Sequence, residues 1–147
     1  MRRYATVLVL GLAILLTDRV FAHHSFAGEF DNSSVVTLNG VVSSVEIVNP
    51  HSWIYLDVET DGAIERWALE GPGPSVIQRR GFATDFIKAG NELGVCGYQA
   101  RGDVSATKLD PGTAKPARKL SAAVLMTPER GPFAWSNYRQ GKCGLDK

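Results

Sequence analysis

The stretch that most restricts the fold of this chain is 40–58, GVVSSVEIVNPHSWIYLDV, in which two alternating segments meet at a corner. Apolar residues sharing one parity in each segment have the period of a β-strand with one buried face. They are Val41, Val45 and Ile47 before the corner, and Ile54, Leu56 and Val58 after it. The corner is Asn49-Pro50-His51, where proline lacks the N–H that a central strand needs and restricts the residue before it. We therefore expect two strands that turn here and bury their apolar faces in one core.

His51 has the same parity as Trp53 and Tyr55, so the three side chains are expected on one side of the second segment. A histidine beside two aromatic side chains at a bend is either a hydrogen-bonded structural corner or one wall of a binding site. Both interpretations stay open from the sequence.

The amino terminus has the three zones of a secretory signal: Arg2 and Arg3, an apolar run over 5–16, and Val20-Phe21-Ala22. We expect cleavage after Ala22. The apolar run is about a dozen residues, shorter than the roughly 18 that a membrane-spanning helix needs, so a retained anchor is the alternative. The prediction is a periplasmic or secreted protein with no stable membrane insertion.

Cleavage after Ala22 would remove 22 of the 147 residues and leave 125, enough for one domain with a hydrophobic core. It would also remove Arg2, Arg3, Arg19 and Asp18 from 16 basic and 15 acidic residues, which leaves a formal charge of −1. Proteins that bind nucleic acid draw affinity from clustered Lys and Arg. A nearly neutral exported chain is therefore not expected to bind nucleic acid.

Strand patterns continue on both sides of the corner. A strand is expected to begin at 35–38, after the turn residues of 31–34, and Asn39-Gly40 adds a turn or bulge. Asp61-Gly62 is the strongest hairpin signal, and 63–70 should pair back as a third strand. Further strands are expected over 92–101 and 120–126, with brief pairing over 133–135 and a long exposed loop over 102–117.

One short helix is expected over 76–80, capped by Ser75 and ended by Gly81. Three strands, one short helix and two strands is the order of a small all-β, five-stranded OB-like barrel. A small open β-sandwich is the alternative, because strand count does not determine closure. The predicted organisation is a signal peptide over 1–22, an extended amino-terminal segment over 23–34, the barrel over 35–136 and a tail over 137–147.

The chain has two cysteines, Cys96 and Cys143. An even pair in an exported chain indicates a disulfide, here between a strand and the carboxyl-terminal tail, and two free thiols are the alternative.

No motif of a common enzyme class is present: there is no Gly-x-Ser-x-Gly elbow, His-Glu-x-x-His helix, phosphate loop or dinucleotide fingerprint. A Cys-His nucleophile would need a reduced thiol in an oxidising compartment. We therefore expect a binding protein without catalytic activity of its own.

His23 would be the first residue after cleavage, followed by His24. An amino-terminal histidine offers its α-amine, with a pKa near ~8, and its imidazole. A third nitrogen from His24 or His51 would complete the T-shaped set that Cu(II) favours, which resembles the histidine brace of copper oxygenases and copper carriers. Cleavage one residue earlier would place His24 third from the amine, another Cu(II) or Ni(II) arrangement. The competing interpretation is a frayed terminus and a purely structural His51.

Trp53, Tyr55 and Glu70 are the candidate residues for a ligand other than a metal, such as a sugar or an apolar molecule. Large aromatics on a small sheet belong more often to the core. Glu29, Asp31 and Glu70 are carboxylate neighbours for a metal, or else solvated charges. The partners carried forward are a copper or related metal ion, a small ligand and a periplasmic protein.

Four stretches together, AHHSFAGEFD, LNGVVSSVEIVNPHSWIYLDV, WALEG and FIKAGNELGVCGYQAR, resemble a family of small exported bacterial proteins known as a domain of unknown function. Its members typically have His-His-Ser-Phe after the signal, Asn-Pro-His on the first hairpin and Trp-x-x-Glu-Gly before a helix that contains proline. The resemblance covers about Ala22–Arg101 and supports the compartment and the fold, but implies no activity. The chain departs from the family beyond Gly102, so the resemblance does not imply the disulfide.

Overall fold

The computed structural model of the chain describes residues 26–102, 107–109, 116–136 and 140–143. Helix α1 spans Phe26–Glu29, and the first three strands span Phe30–Glu46 (β1), Trp53–Thr60 (β2) and Ala63–Glu70 (β3). The later elements are α2 (Pro74–Arg79), β4 (Glu92–Ala100), β5 (Thr107–Leu109), β6 (Pro116–Thr127), β7 (Gly131–Ala134) and a 3-10 turn (Gln140–Cys143).

Five strands close into a barrel in the order β3-β2-β1-β4-β6, and β6 pairs back with β3. The β3–β6 pair is parallel, while the other four pairs of the barrel are antiparallel. Strand β1 is long enough to pair with two neighbours: residues 41–46 pair with β2, and residues 35–41 pair with β4. The short strands β5 and β7 pair with β6 near its two ends. The predicted small barrel is confirmed, and the open sandwich is wrong.

Alternate positions of β2 and β3 fill the barrel, as their apolar spacing predicts. Ile54 and Leu56 face Leu69 and Trp67 across the hairpin, and all four are buried. Ile77 of α2 belongs to the same cluster, so the helix covers part of the core with its one buried side chain. The hydrophobic effect of this contiguous cluster is the main force that stabilises so small a domain.

The turn between β2 and β3 has the predicted geometry, since Asp61 and Gly62 both have positive φ, of 53° and 79°. Two positive φ values match the twist of the flanking strands, which is why Asp-Gly is favoured here.

Helix α2 begins one residue before the predicted cap. Gly73 occupies the cap position without a side-chain hydrogen bond, and Pro74 is the first helical residue. The prediction of Ser75 as the cap is wrong because proline at the first helical position, with its fixed φ, already determines where the helix starts. Gly81, with φ of 81°, follows the helix as predicted.

Strand β1 carries a bulge that the alternation did not reveal. Val42 pairs with Leu56, whereas the next pair is Ser44 with Tyr55, so one extra residue lies between them. The bulge reverses the parity of the strand. Val42 is consequently buried and Val41 is 47% exposed, and the prediction that Val41 belongs to the core face is wrong.

The strand also begins earlier than predicted. Residues 31–34 were expected to form a turn, but they lie within β1 as an irregularity between Phe30 and Val35 in its pairing with β4. The turn chemistry acts locally, because the backbone N–H of Ser33 donates to Oδ1 of Asp31 at 2.9 Å. Ahead of the strand, α1 replaces part of the expected extended segment.

The region predicted as an exposed loop over 102–117 contains paired strand residues. Residues 107–109 pair with 116–118 of β6, and Ala117 is buried. The prediction erred because the two stretches complete each other's hydrogen bonds, which composition alone does not indicate.

A disulfide joins Cys96 of β4 to Cys143, with 5.7 Å between the α-carbons. Cys143 packs on a second apolar cluster outside the barrel, which contains Phe30 and Tyr98. The bond therefore holds the carboxyl-terminal turn against β4. Within the described ranges, no helix has the length and apolar character to span a membrane.

Candidate functional site

The loop between β1 and β2 places His51 at the end of the β2–β3 hairpin. Its backbone is bound to the residues after β3: the N–H of Gly71 donates to the carbonyl of Ser52 at 2.9 Å, and the N–H of Ser52 donates to the carbonyl of Pro72 at 3.3 Å. Gly73 also lies under the loop, where a Cβ would come within 2.7 Å of the carbonyl oxygen of Pro50. The glycine-rich stretch after β3 is therefore the surface on which the corner packs.

His51 contacts a buried carboxylate. Glu70, the last residue of β3, lies directly across from Trp53 in the sheet register, and its Oε1 contacts Nδ1 of His51. The Glu70 side chain is 11% exposed and that of His51 is 53% exposed. The contact holds the imidazole of His51 through Nδ1. The carboxylate of Glu70 lies in the protein interior, and the imidazole ring faces the surface.

Lys119 of β6 reaches the other oxygen of the same carboxylate. The parallel pairing sets Lys119 opposite Ala68, two positions before the pair of Glu70 with Ser121. Nζ of Lys119 lies 3.3 Å from Oε2 of Glu70 and also contacts Oε1 of Glu29 in α1. Glu29, Lys119, Glu70 and His51 thus form one continuous polar chain from the amino-terminal helix to the corner. We call these four residues the polar chain.

Burial determines the electrostatics of this chain. It raises the pKa of Glu70 to about 7, although the charge of Lys108 opposes the shift. Burial also lowers the pKa of Lys119. Both shifts have one cause, since removing a carboxylate or an ammonium group from water disfavours its charged form.

The two aromatic residues near His51 are in different environments. Tyr55 is fully buried, and its hydroxyl donates to Oε2 of Glu46 at 2.9 Å. Trp53 is half-buried, with Nζ of Lys108 at 4.6 Å and Nζ of Lys119 at 5.2 Å from its ring centre. Trp53 therefore remains in reach of a ligand, whereas Tyr55 supports the sheet beneath it.

The site lies where barrels of this type bind their ligands. His51 belongs to the loop between the first two strands, and Lys108 belongs to the connection between β4 and β6. In OB folds the face of strands 2 and 3 and these two loops bind oligonucleotides and oligosaccharides. An open groove of about 500 Å³ lies elsewhere on the surface, lined by Asn39–Val41, Glu92–Gly94 and Met126–Pro128, and holds none of the predicted site residues.

The predicted metal ligands are only partly visible. His23 and His24 lie outside the described residues, while α1, which follows them, contributes Glu29 to the polar chain. Asp31 contacts Arg101 at 3.5 Å and its pKa is lowered, chiefly by its hydrogen bond from Ser33. In the part of the chain that the structure describes, no cluster of three or more His, Cys, Asp or Glu side chains has the geometry of a metal site.

Sequence reasoning missed Lys119. A signal for it exists in β6, where the nearest residues that share its parity are the small Ala117, Ser121 and Ala123. All three are buried. Small side chains on the face of a strand that points away from the barrel core allow another segment to pack on that face. A single lysine among them then becomes buried, and a buried lysine is expected to form an ion pair.

In a comparison with known protein families, residues 12–108 match the model described as a family of unknown function, DUF6152. No curated protein matches the sequence.

Proposed function

The chain belongs to DUF6152, a family of unknown function, and we propose that it is an exported copper-binding protein whose site joins the amino-terminal His23 to His51. In this proposal the protein carries or holds the metal and has no catalytic activity of its own.

The contact between His51 and Glu70 is the observation that carries the proposal. Histidines that bind metals almost always give their second ring nitrogen to a carboxylate or carbonyl, which fixes the tautomer and makes the ligating nitrogen more basic. Nδ1 of His51 contacts Glu70, and the ring lies 53% exposed. Nε2 would then be the nitrogen that binds copper.

The amino terminus would supply the other nitrogens. The α-amine and imidazole of His23 form a chelate, and Cu(II) leads the divalent series in affinity for nitrogen. His23 lies three positions before Phe26, the first described residue, and an extended chain of that length spans about 10 Å. Glu29 is the first member of the polar chain that ends at His51 and contacts Lys119. His24 is the ligand if cleavage occurs one residue earlier.

Export is part of the proposal, because the amine exists only after the signal has been removed. The zones over 1–22 support this. A copper carrier would deliver its ion to a periplasmic protein partner. The predicted net charge of −1 is small, so it does not favour a partner with a positive or a negative net charge.

A binding module without a metal site is the second candidate, and half-buried Trp53 is the observation that favours it. A ring at this position can stack on a planar or sugar ligand. Two lysine ammonium groups already lie near that ring, however, and Tyr55 is fully buried. Of the three residues predicted to bind such a ligand, Trp53 borders the surface and Glu70 contacts His51, while Tyr55 is buried away from the site.

Calorimetry with Cu(II) tests the proposal on three proteins: the secreted chain that begins at His23, the same chain with its amino group acetylated, and His51→Ala. We expect tight binding by the first alone. Acetylation turns the amine into an amide, which no longer donates a lone pair, and His51→Ala should weaken binding about 10-fold or more. Equal, weak binding by all three would contradict the copper site and favour a ligand at Trp53.

A further inference from the structure

The open groove of about 500 Å³ lies on a part of the sheet that faces away from the barrel core. The register sets Asn39, Gly94 and Met126 in one row across β1, β4 and β6, and it sets Val41 opposite Glu92 two positions away. Gly94 is paired on both sides, so this strand has no free edge at which a partner could extend the sheet. A partner would therefore bind here through its side chains.

Two local features form the floor of the groove. Gly94 leaves the middle of the row without a side chain, and a β-carbon there would lie 2.9 Å from Oδ1 of Asn39 and 2.9 Å from Cε of Met126. The bulge in β1 turns Val41 outward, where it is 47% exposed. Bulges that re-aim a side chain are common beside functional sites. The floor thus combines backbone at Gly94 with an exposed apolar side chain.

A second cavity of about 380 Å³ adjoins the groove, since Glu92, Leu93 and Thr127 line both. We call the two cavities together the double groove. The apolar side chains that line only its second part are Phe86, Ile87 and Phe133. Sites for small molecules enclose most of the ligand surface, whereas an open groove leaves one side of its ligand in water. The shape therefore suits a segment of polypeptide in an extended conformation.

The charged groups of the double groove favour a cationic ligand. Among the described residues that line it, Glu92 and Glu129 are the acids and Arg130 is the base. The guanidinium of Arg130 lies 4.5 Å from the ring centre of Phe82 and 5.9 Å from that of Phe133, so its charge faces aromatic rings. Neither carboxylate forms an ion pair with another residue in the described ranges. Cationic groups of a partner would complement both.

We infer that the double groove binds an extended segment of another protein in which apolar residues alternate with lysine or arginine. Alternate side chains of an extended segment point to the same side. The apolar ones can then lie on Val41 and Phe133, while the long cationic ones between them reach Glu92 and Glu129 at the rim. The inference does not depend on the copper site, because none of the described residues that line the double groove is a proposed metal ligand.

The test titrates the purified protein with a fluorescein-labelled peptide of Leu-Lys repeats and follows fluorescence anisotropy. A peptide of Leu-Glu repeats keeps the apolar side chains and reverses the charge, and a peptide of Ser-Lys repeats keeps the charge without the apolar side chains. The protein variants are Glu92→Gln, Glu129→Gln and Val41→Lys. Ile64→Lys is the matched control for Val41→Lys, because Ile64 is an apolar residue of β3 that is 63% exposed and does not line the double groove.

We expect the Leu-Lys peptide to bind, and the other two peptides to bind about 10-fold more weakly or less. Glu92→Gln and Glu129→Gln should each weaken binding about 2- to 5-fold, which corresponds to the loss of one exposed ion pair. Val41→Lys should weaken it about 10-fold or more, because it removes an apolar contact and adds a like charge. Ile64→Lys should change it by about 2-fold at most, since salt screens a distant charge.

The two glutamine variants remove no buried group, so they carry the test if Val41→Lys does not fold. Equal binding of the Leu-Lys and Leu-Glu peptides would overturn the inference, as would equal losses in Val41→Lys and Ile64→Lys or no saturable binding of the Leu-Lys peptide. Sedimentation without peptide tests the other occupant, a second copy of the chain. A dimer that Val41→Lys converts to a monomer would assign the double groove to self-association and would also reject the inference.

Discussion

The indole nitrogen of Trp135 occupies the space that a β-carbon on Gly71 would fill. Trp135 is 1% exposed, and Gly71 donates its N–H to the loop that carries His51. A buried aromatic ring at the carboxyl end of the barrel domain therefore packs directly against the backbone that supports the candidate site.

Replacing Gly71 with Ala should lower the free energy of unfolding by about 2–3 kcal/mol, because the added methyl overlaps a buried ring that has no room to move. Urea unfolding followed by tryptophan fluorescence measures the change. Gly62→Asn is the control, since that turn position has open space around it and asparagine tolerates positive φ. Equal effects of the two substitutions would show that the ring is not tightly packed on Gly71.

The bulge in β1 predicts opposite outcomes for adjacent valines. Val42→Ala should cost about 2 kcal/mol of unfolding free energy through lost burial and a cavity, whereas Val41→Ala should cost at most about 0.5 kcal/mol. Thermal or urea unfolding of the two variants distinguishes them. A larger loss at Val41 would mean that the strand keeps the uninterrupted alternation of its sequence.

Protein from the exported fraction should contain no thiol that can be alkylated without reductant, because Cys96 and Cys143 are bonded. Mass spectrometry after alkylation checks this. Replacing Cys143 with Ser should then lower the unfolding free energy by about 2–5 kcal/mol, since the bond closes a loop over a sequence separation of 47. Two alkylated cysteines in the untreated protein would contradict the prediction.

Glu70→Ala should weaken Cu(II) binding about 10- to 100-fold, because the imidazole of His51 loses the carboxylate that orients it. Glu46→Ala is the matched control: Glu46 lies near Lys108 and Tyr55 on the same face but does not contact His51. Competition with a chelator of known affinity measures both variants. A similar loss in both would indicate a general effect of negative charge on this face.

Much of the fold could be predicted because it rests on local chemistry. The alternation of Ile54, Leu56 and Val58 is enough to identify a strand with one buried face, and Asp61-Gly62 is enough to place a hairpin turn. Both depend on residues that are neighbours in sequence. The start of α2 was missed by the same local reasoning, since Pro74 has a stronger effect on where the helix begins than Ser75.

The candidate site was predictable only in part. The parity of His51 and Trp53 placed them on one side, and Glu70 was already a candidate carboxylate. The contact that joins His51 to Glu70 depends on the register of β2 with β3, and that of Lys119 depends on the parallel pairing of β6. Such registers cannot be predicted from the sequence alone, because two strands with the same alternating pattern can pair in several registers.

The sequence by itself determined most of the residues that are buried and most of the places where the chain turns. It also determined that His23, His24 and His51 are the only histidines that could bind a metal. The tertiary structure alone decided which strand edges meet, because closure of the barrel is a long-range event whose free energy comes from the whole core. That closure brings β6 beside β3 and thereby sets Lys119 between Glu29 and Glu70. The same packing buries the carboxylate of Glu70, and no local sequence pattern predicts that burial.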